Sequence, residues 1–241
     1  MTVPPPLPQL AGTLRRLAPS CGRTRLVAVD GHAGAGKSTF AGLLSAALGG
    51  APVLPLDALA THREPFEWTD RIRDQVLLPL SRGEPARYAP YDWSARTFGA
   101  PLTLPAAPVV LVEGVGAGRA ALRPWLACLL WMDLDREESW RRGRRRDGPA
   151  LAAFWDDWTA AERRHFAADP SRPHAQLLVR QRPDAHFVPS PTWADRAADD
   201  PATVPRAEDA RRAAYEVLAG PAGPPRHASG AGREPQGHHA Q

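Results

Sequence analysis

The sequence predicts a three-layer α/β fold built on a five-stranded parallel sheet. Five short apolar runs, rich in valine and leucine, are typical of strands buried on both faces of a sheet. An acidic residue ends or follows four of these runs, and stretches with helical spacing of apolar residues lie between them. Strands that alternate with helices favour a parallel sheet that is covered by helices on both faces.

The elements follow one another along the central part of the chain. The predicted strands cover residues 25–29, 52–56, 108–112, 128–134 and 175–180. The predicted helices between and after them cover residues 37–48, 71–80, 119–126, 137–146 and 151–168. We therefore place one α/β domain at residues 25–182.

The two ends of the chain differ from this domain in composition. Residues 1–24 are proline-rich and are predicted to be a mobile lead-in, with one docked helix over residues 10–17. Residues 183–241 form a Pro-, Ala- and Arg-rich tail without a predicted strand. We expect this tail to be mostly disordered, with one amphipathic helix over residues 206–219.

Charge and cysteine content exclude several classes of protein. The 30 basic and 26 acidic residues leave a net charge of +4, which does not indicate a nucleic-acid or membrane-surface protein. The two cysteines have neither disulfide nor zinc-site spacing, and the first residues lack the pattern of a secretory signal, which fits a cytoplasmic protein. Glycine and proline interrupt the longest uncharged run, residues 38–56, so we expect no membrane span. The oligomeric state stays open.

The most specific motif lies between the first predicted strand and the helix after it. Residues 31–38 read GHAGAGKS and match GxxxxGK[ST], the pattern of a phosphate-binding loop. Its glycines let backbone N–H groups turn inward at a helix N-terminus, where they can bind a triphosphate. Lys37, the only lysine of the chain, would contact the β- and γ-phosphates, and the Ser38 hydroxyl would bind Mg²⁺.

This motif predicts the P-loop NTPase version of the α/β fold, because the strand, the spacing and the helix agree. The alternative is a glycine-rich turn that binds nothing. The residues expected to bind the nucleotide are Gly31, His32, Ala33, Gly34, Ala35, Gly36, Lys37, Ser38 and Thr39.

Two acidic residues end the second and third predicted strands, at the edge of the sheet where α/β proteins bind ligands. Asp57 could accept a proton from an attacking substrate hydroxyl, or it could be a helix cap or loop carboxylate. Glu113 could hold Mg²⁺ directly or through water, or it could be a buried carboxylate satisfied by backbone amides.

An arginine-rich segment follows the fourth predicted strand. Five of the six residues 141–146 are arginine, and at helical spacing Arg142, Arg145 and Arg146 can share one face. Their guanidinium groups suit the bidentate capture of phosphate oxygens as charge builds during phosphoryl transfer. A solvated helix face and a nucleic-acid patch are the alternatives.

Aromatic residues suggest where an acceptor could bind. The segment YAPYDWSAR, residues 88–96, has Tyr91 and Trp93 among polar residues, with Arg96 at its end. It could form an acceptor pocket, in which rings stack on a flat or sugar-like substrate, or it could cover the sheet edge. Trp155 and Trp158 lie three residues apart on a predicted helix and are expected to pack in the core or a lid.

Together these segments resemble the uridine kinase and phosphoribulokinase group of P-loop kinases. The resemblance covers roughly residues 25–180 and rests on GHAGAGKST, the strand-end Asp57, YAPYDWSAR, the VVLVEG strand and RRGRRRD. It implies that Asp57 is the catalytic base. It also implies that Tyr91 and Trp93 line a nucleoside site, and that Arg142 and Arg146 contact ATP phosphates. Arg96 stands where the uridine kinases of this group typically have a histidine.

The expected function is an ATP- and Mg²⁺-dependent kinase that phosphorylates a hydroxyl group of a small molecule, with a nucleoside as the first candidate. The catalytic residues would be Lys37, Asp57, Arg142 and Arg146. A sugar, a pantothenate-like compound or an antibiotic are alternative acceptors. A nucleotide-dependent switch ATPase with a docking tail, or a nucleotide-binding module without turnover, are alternatives from other classes.

Overall fold

A computed structural model of the chain describes residues 7–181 and 215–225. Within them, the strands are β1 (Arg25–Asp30), β2 (Val53–Pro55), β3 (Ala86–Tyr88), β4 (Tyr91–Asp92), β5 (Thr97–Phe98), β6 (Leu102–Leu104), β7 (Val109–Glu113), β8 (Cys128–Met132), β9 (Leu177–Gln181) and β10 (Tyr215–Ala219). The α-helices are α1 (Leu7–Arg15), α2 (Lys37–Ala47), α3 (Thr69–Ile72), α4 (Leu78–Ser81), α5 (Arg136–Asp147) and α6 (Ala152–Ala168). A π-helical turn, Arg73–Leu77, joins α3 to α4.

The central sheet has six strands in the order β10-β9-β8-β1-β7-β2. The five strands β9, β8, β1, β7 and β2 are parallel to their neighbours, which confirms the predicted five-stranded parallel sheet. All five residues of β7 and of β8 are buried, as expected for strands covered on both faces.

Helices cover both faces of the sheet, so the three-layer prediction is confirmed. The residues of β1 alternate between the two faces: Leu26 packs in the core on the side of α3 and α4, and Val27 packs in the core on the side of α1 and α2. On the second side, Leu10 and Leu14 of α1 are buried against Phe40 of α2. The packed part of the chain therefore includes this helix, which lies before residue 25.

Two of the predicted helices do not form. Residues 119–126 form turns and a short 3-10 helix (Arg123–Trp125), because Pro124 lacks an N–H donor and the preceding turn donates its amides to Asp30. Residues 215–219 form β10, which pairs antiparallel with β9 and buries Val217, and are not the end of a helix over residues 206–219. Residues 206–214 and most of the predicted tail lie outside the described residues.

Two short antiparallel pairs occupy the connection between α4 and β7. The outer pair joins β3 to β6, and the inner pair joins β4 to β5. The inner hairpin includes Tyr91 and Trp93 of the aromatic segment, residues 88–96. Asp92 accepts hydrogen bonds from the backbone N–H groups of Ser94 and Ala95, which fixes the turn of this hairpin.

Among the described helices, none is both long and apolar enough to cross a bilayer.

Candidate functional site

The glycine-rich segment forms the connection from β1 to α2, with its lysine in the first turn of the helix. Gly36 is the N-cap residue of α2 and has a left-handed backbone conformation, with φ of 89°. The Lys37 ammonium donates to the backbone oxygens of Gly31, at 2.9 Å, and His32, at 3.0 Å. The side chain therefore folds back along the loop and lines the cavity beside it. This arrangement combines a helix N-terminus with one ammonium group, as a polyphosphate site requires.

Ser38 and Glu113 meet at the edge of the sheet. The Ser38 hydroxyl donates to Oε1 of Glu113 at 2.9 Å, although the two residues are far apart in the sequence. They meet because β1 and β7 are adjacent parallel strands, so that their carboxyl ends share one edge. The prediction that both belong to one site agrees with this contact.

The oxygen atoms of Ser38 and Glu113 fit Mg²⁺. A hydroxyl and a carboxylate are ligands that this ion prefers, and it commonly completes its shell with substrate phosphates and water. The described residues contain no cluster of three or more His, Cys, Asp or Glu side chains that could hold a metal by themselves.

Asp57 lies in the short 3-10 helix Leu56–Ala58 that follows β2, as the position of this residue after a strand predicts. It is half-buried and lines the same cavity as Lys37, Ser38 and Glu113. The indole N–H of Trp93 donates to the backbone oxygen of Asp57 at 3.1 Å. This hydrogen bond holds the aromatic segment beside the carboxylate.

One cavity collects most of the predicted site residues. It lies between the glycine-rich loop, the strand ends and the two helices α5 and α6, which together are called the lid. Its lining residues are Ala33, Gly34, Gly36, Lys37, Ser38, Asp57, Glu113, Val115, Arg142, Gly143, Arg146, Phe154, Trp155 and Trp158. Three cationic and two acidic side chains thus surround a space that is walled by aromatic rings.

Two of the arginines of α5 reach this cavity. Arg142 donates to Oε1 of Glu138 at 2.9 Å and to Gln181 at 3.3 Å, and Arg146 donates to Asp147 at 2.6 Å. Arg145 is exposed and does not line the cavity. Of the three arginines predicted to share one face of the helix, therefore, only Arg142 and Arg146 reach the site. The two that line it are held by neighbouring polar groups on one wall of the site.

The aromatic residues of the inner hairpin form a cluster beside Asp57. The rings of Tyr91 and Trp93 are 5.3 Å apart, and the ring of His62 lies 4.7 Å from that of Trp93. The hydroxyl of Tyr91 is 3.1 Å from Nδ1 of His62. Burial, and in second place the charge of Arg96, lowers the pKa of His62. These rings pack against each other beside the cavity and are not among the residues that line it.

Arg96 and the lid tryptophans lie in different environments. Arg96 is exposed at the turn between β4 and β5, with φ of 56°, and it does not line the cavity. Trp155 and Trp158 are buried on α6, as the packing prediction expects, and both also line the cavity. They are therefore core residues that present part of their surface to the site.

Sequence reasoning missed Asp30, the last residue of β1. Its carboxylate is fully buried and accepts hydrogen bonds from the backbone N–H groups of Gly31, Gly116 and Gly118, at 2.7 to 2.9 Å. Burial raises the pKa of Asp30, and hydrogen bonds to backbone amides oppose that rise. The residue joins the start of the loop to the turn that follows Glu113. The signal in the sequence that could have identified this residue is its position, as an aspartate at the end of a buried strand.

Comparison with known proteins supports the fold. No protein-family model matches the chain, and no curated protein matches it significantly. A solved structure described as a possible uridine kinase from Bacillus stearothermophilus is similar to it, with a TM-score of 0.54 and 15% identity over 71% of this chain and 96% of that chain. A protein from Silicibacter sp. TM1040, described as a candidate fructose transport system kinase, is similar with a TM-score of 0.46 and 23% identity over 68% of this chain and 88% of that chain. The first similarity shows that the chain has the same α/β fold as that structure.

Proposed function

We propose that this chain is a kinase that transfers the γ-phosphoryl group of ATP to a hydroxyl group of a small molecule. The observation that carries the proposal is the shared cavity, which Lys37, Ser38, Asp57, Glu113 and the two lid arginines all line. A nucleotide-binding module alone would need the loop, but it would not need a carboxylate such as Asp57 beside it. The fold of the chain supports the same conclusion.

Each of these groups has a role that its chemistry allows. The backbone amides of the loop and the ammonium of Lys37 bind the β- and γ-phosphates. Ser38 and Glu113 would hold a magnesium ion, which neutralises phosphate charge when it is bound. Asp57 orients the acceptor hydroxyl and accepts its proton as the hydroxyl oxygen attacks the γ-phosphorus atom, while the bond from that atom to the β,γ-bridging oxygen breaks and ADP leaves.

The helices α5 and α6 complete the site. Arg142 and Arg146 stabilise the negative charge on the transferred group, because their guanidinium groups donate in pairs to phosphate oxygens. The aromatic rings of α6 exclude water from the cavity, which limits hydrolysis of ATP. Both helices therefore contribute to transfer.

A nucleoside such as uridine or cytidine is the first candidate acceptor. The support is the cluster of Tyr91 and Trp93, which the hydrogen bond from Trp93 holds beside Asp57. Aromatic rings at this place suit an acceptor with a flat base, which can stack on them. We do not assign a contact to Arg96, which is exposed at the hairpin turn.

A panel assay of ADP release tests the proposal. Purified protein with magnesium and ATP is offered nucleosides, sugars, a pantothenate-like compound and aminoglycosides in turn. We expect nucleosides to stimulate ADP release and to yield a phosphorylated product. ADP release without any dependence on the acceptor would contradict the kinase proposal in favour of an ATPase. Stimulation by another acceptor alone would contradict only the nucleoside assignment.

Substitutions separate binding from transfer. Asp57→Asn is expected to keep ATP binding and to lower the transfer rate by about 100-fold or more, because general-base contributions have this size. Lys37→Ala is expected to abolish transfer by removing the ammonium from the loop. Asp70→Asn is the matched control, because Asp70 is a carboxylate on α3 whose side chain is 80% exposed. This variant should keep the wild-type rate. Full activity of Asp57→Asn would refute the base assignment.

A further inference from the structure

A buried carboxylate lies behind the glycine-rich loop, outside the cavity. Glu162 belongs to α6 and is completely shielded from solvent. It does not line the cavity, so it has no direct contact with a nucleotide bound there. A buried charge of this kind is costly unless hydrogen bonds satisfy it.

Four N–H groups from three parts of the fold surround Glu162. Two belong to the loop: Nδ1 of His32 is 2.7 Å from Oε1, and the backbone N–H of Ala33 donates to Oε2 at 3.1 Å. The other two are indole groups: Trp140 of α5 donates to Oε1 at 3.0 Å, and Trp158 of α6 donates to Oε2 at 3.2 Å. An ionised carboxylate only accepts, so this contact is a hydrogen bond in the tautomer of His32 that has its proton on Nδ1.

The His32 side chain is held in place by more than this hydrogen bond. Its ring has edge contacts with Trp131, Trp140 and Phe166, at centroid distances of 5.3, 6.2 and 5.2 Å. The side chain therefore points away from the phosphate side of the loop, into the packing between the sheet and the helices. Binding of the nucleotide by the backbone of His32 stays a prediction, whereas the contacts of its side chain are with Glu162 and these rings.

Moving the loop would break the two hydrogen bonds that it donates to Glu162. The carboxylate would then keep only the two indole donors in a buried position, which is unfavourable. The free energy of the loop conformation is thereby coupled to the packing of α5 and α6. Gly34 also lies directly against α5, since a Cβ atom at this residue would be 2.0 Å from the backbone oxygen of Ser139.

We propose that Glu162 is a positioning residue, which holds the glycine-rich loop in its nucleotide-binding conformation by joining it to both lid helices. The inference rests on the proposed function, because it takes the loop to be the ATP site. Glu162 acts through His32 and Ala33. A residue of this kind controls the affinity for ATP, because only molecules whose loop has the binding conformation can bind it. The affinity therefore falls with the fraction of such molecules.

Calorimetric titration of Glu162→Gln with ATP and magnesium tests this role. Glutamine keeps the size of the side chain, but its NH₂ group would face two N–H donors. We expect the dissociation constant for ATP to rise about tenfold or more, as the loop leaves its binding conformation. Urea unfolding of the same variant measures its loss of stability separately.

Thr24→Val is the matched control for stability. Thr24 is buried at the amino end of β1, at the edge of the sheet opposite the loop, and its hydroxyl donates to the backbone oxygen of Ala107 at 2.9 Å. The variant loses one buried hydrogen bond without touching the site, so we expect lower stability and wild-type ATP affinity. An unchanged ATP affinity in Glu162→Gln, or an equal loss in Thr24→Val, would overturn the proposal.

A second pair of variants decides the question if Glu162→Gln does not fold. His32→Ala removes one donor to Glu162 and is expected to weaken ATP binding. His32→Asn places an amide N–H near the position of Nδ1 and is expected to restore the affinity. Equal affinities of the two variants would overturn the proposal.

Failure of the proposal about Glu162 can be distinguished from failure of the proposed kinase function. Wild-type protein that binds ATP but phosphorylates no acceptor would refute the kinase reaction and leave the role of Glu162 intact. Wild-type protein that binds no ATP would refute both.

Discussion

Substitution of Gly34 by alanine tests how closely the glycine-rich loop packs against the lid. Gly34 and Gly36 have similar left-handed backbone conformations, with φ of 85° and 89°. A Cβ atom at Gly34 would lie 2.0 Å from the backbone oxygen of Ser139 in α5, whereas a Cβ atom at Gly36 would meet nothing within 4 Å. The two positions therefore share the conformational strain, and only Gly34 adds a steric clash.

The geometry sets the size of the expected effect. Strain from a left-handed residue other than glycine costs about 1–2 kcal/mol, and this applies to both variants. Relieving the clash at Gly34 requires a movement of at least about 1 Å, because Cβ contacts shorter than 3.0 Å essentially never occur. This movement displaces α5, which the hydrogen bond from Trp140 to Glu162 holds in place. Losing that contact adds about 2 kcal/mol.

Urea unfolding followed by tryptophan fluorescence and circular dichroism measures both variants. We expect the free energy of unfolding to fall by about 3–4 kcal/mol in Gly34→Ala and by about 1–2 kcal/mol in Gly36→Ala, with unchanged m-values. Equal losses in the two variants, within about 0.5 kcal/mol, would refute the tight contact between the loop and α5.

Three further predictions concern other parts of the molecule. Burial lowers the pKa of His165 to about 4, from a value of 6.5 in the unfolded chain. Between these two pH values the unfolded chain binds a proton at His165, whereas the folded protein does not. Stability is therefore lost as the pH falls below 6.5, by about 2 kcal/mol between pH 7.5 and pH 5, and His165→Asn should remove this part of the pH dependence in urea unfolding. An identical pH dependence in the variant would contradict this assignment. Burial also raises the pKa of Cys21 to about 11 and that of Cys128 to about 12, so we expect neither thiol to react with a disulfide reagent at pH 8 until urea unfolds the protein. Fast labelling of the native protein would show that a thiol is accessible. Finally, Ser38→Ala should lower the ATP affinity measured with magnesium to the value measured without it, because the hydroxyl beside Glu113 is lost. Calorimetry with and without magnesium measures this difference, and an undiminished effect of magnesium would refute the metal assignment.

Much of the fold follows from local patterns in the sequence. Each strand of the parallel sheet is a short apolar run, and strands of this kind are recognisable without knowledge of their partners. The pattern GxxxxGK[ST] places Lys37 and Ser38 at the start of a helix for reasons of backbone geometry alone. The topology then brings Glu113 to Ser38, because adjacent parallel strands present their carboxyl ends at one edge.

Other parts of the fold depend on residues that are distant in the sequence. The segment 119–126 has the composition of a helix. The backbone N–H groups of the turn before it, however, donate hydrogen bonds to Asp30 at the end of β1. Strand β10 forms because β9 offers an edge for pairing, although the two are separated by residues 182–214. The inner hairpin, by contrast, is fixed locally, because the side chain of Asp92 accepts from two backbone amides in its own turn.

The sequence by itself determined the five parallel strands, most of the helices that cover them and the residue types at the glycine-rich loop, because these depend on spacing and backbone conformation. Only the tertiary structure decided which polar side chains hold that loop in place. Glu162 lies on α6, and nothing in the sequence distinguishes it from the other acidic residues of that helix. It becomes an anchor because folding buries it where only hydrogen bonds from the loop and the two lid helices can satisfy its charge.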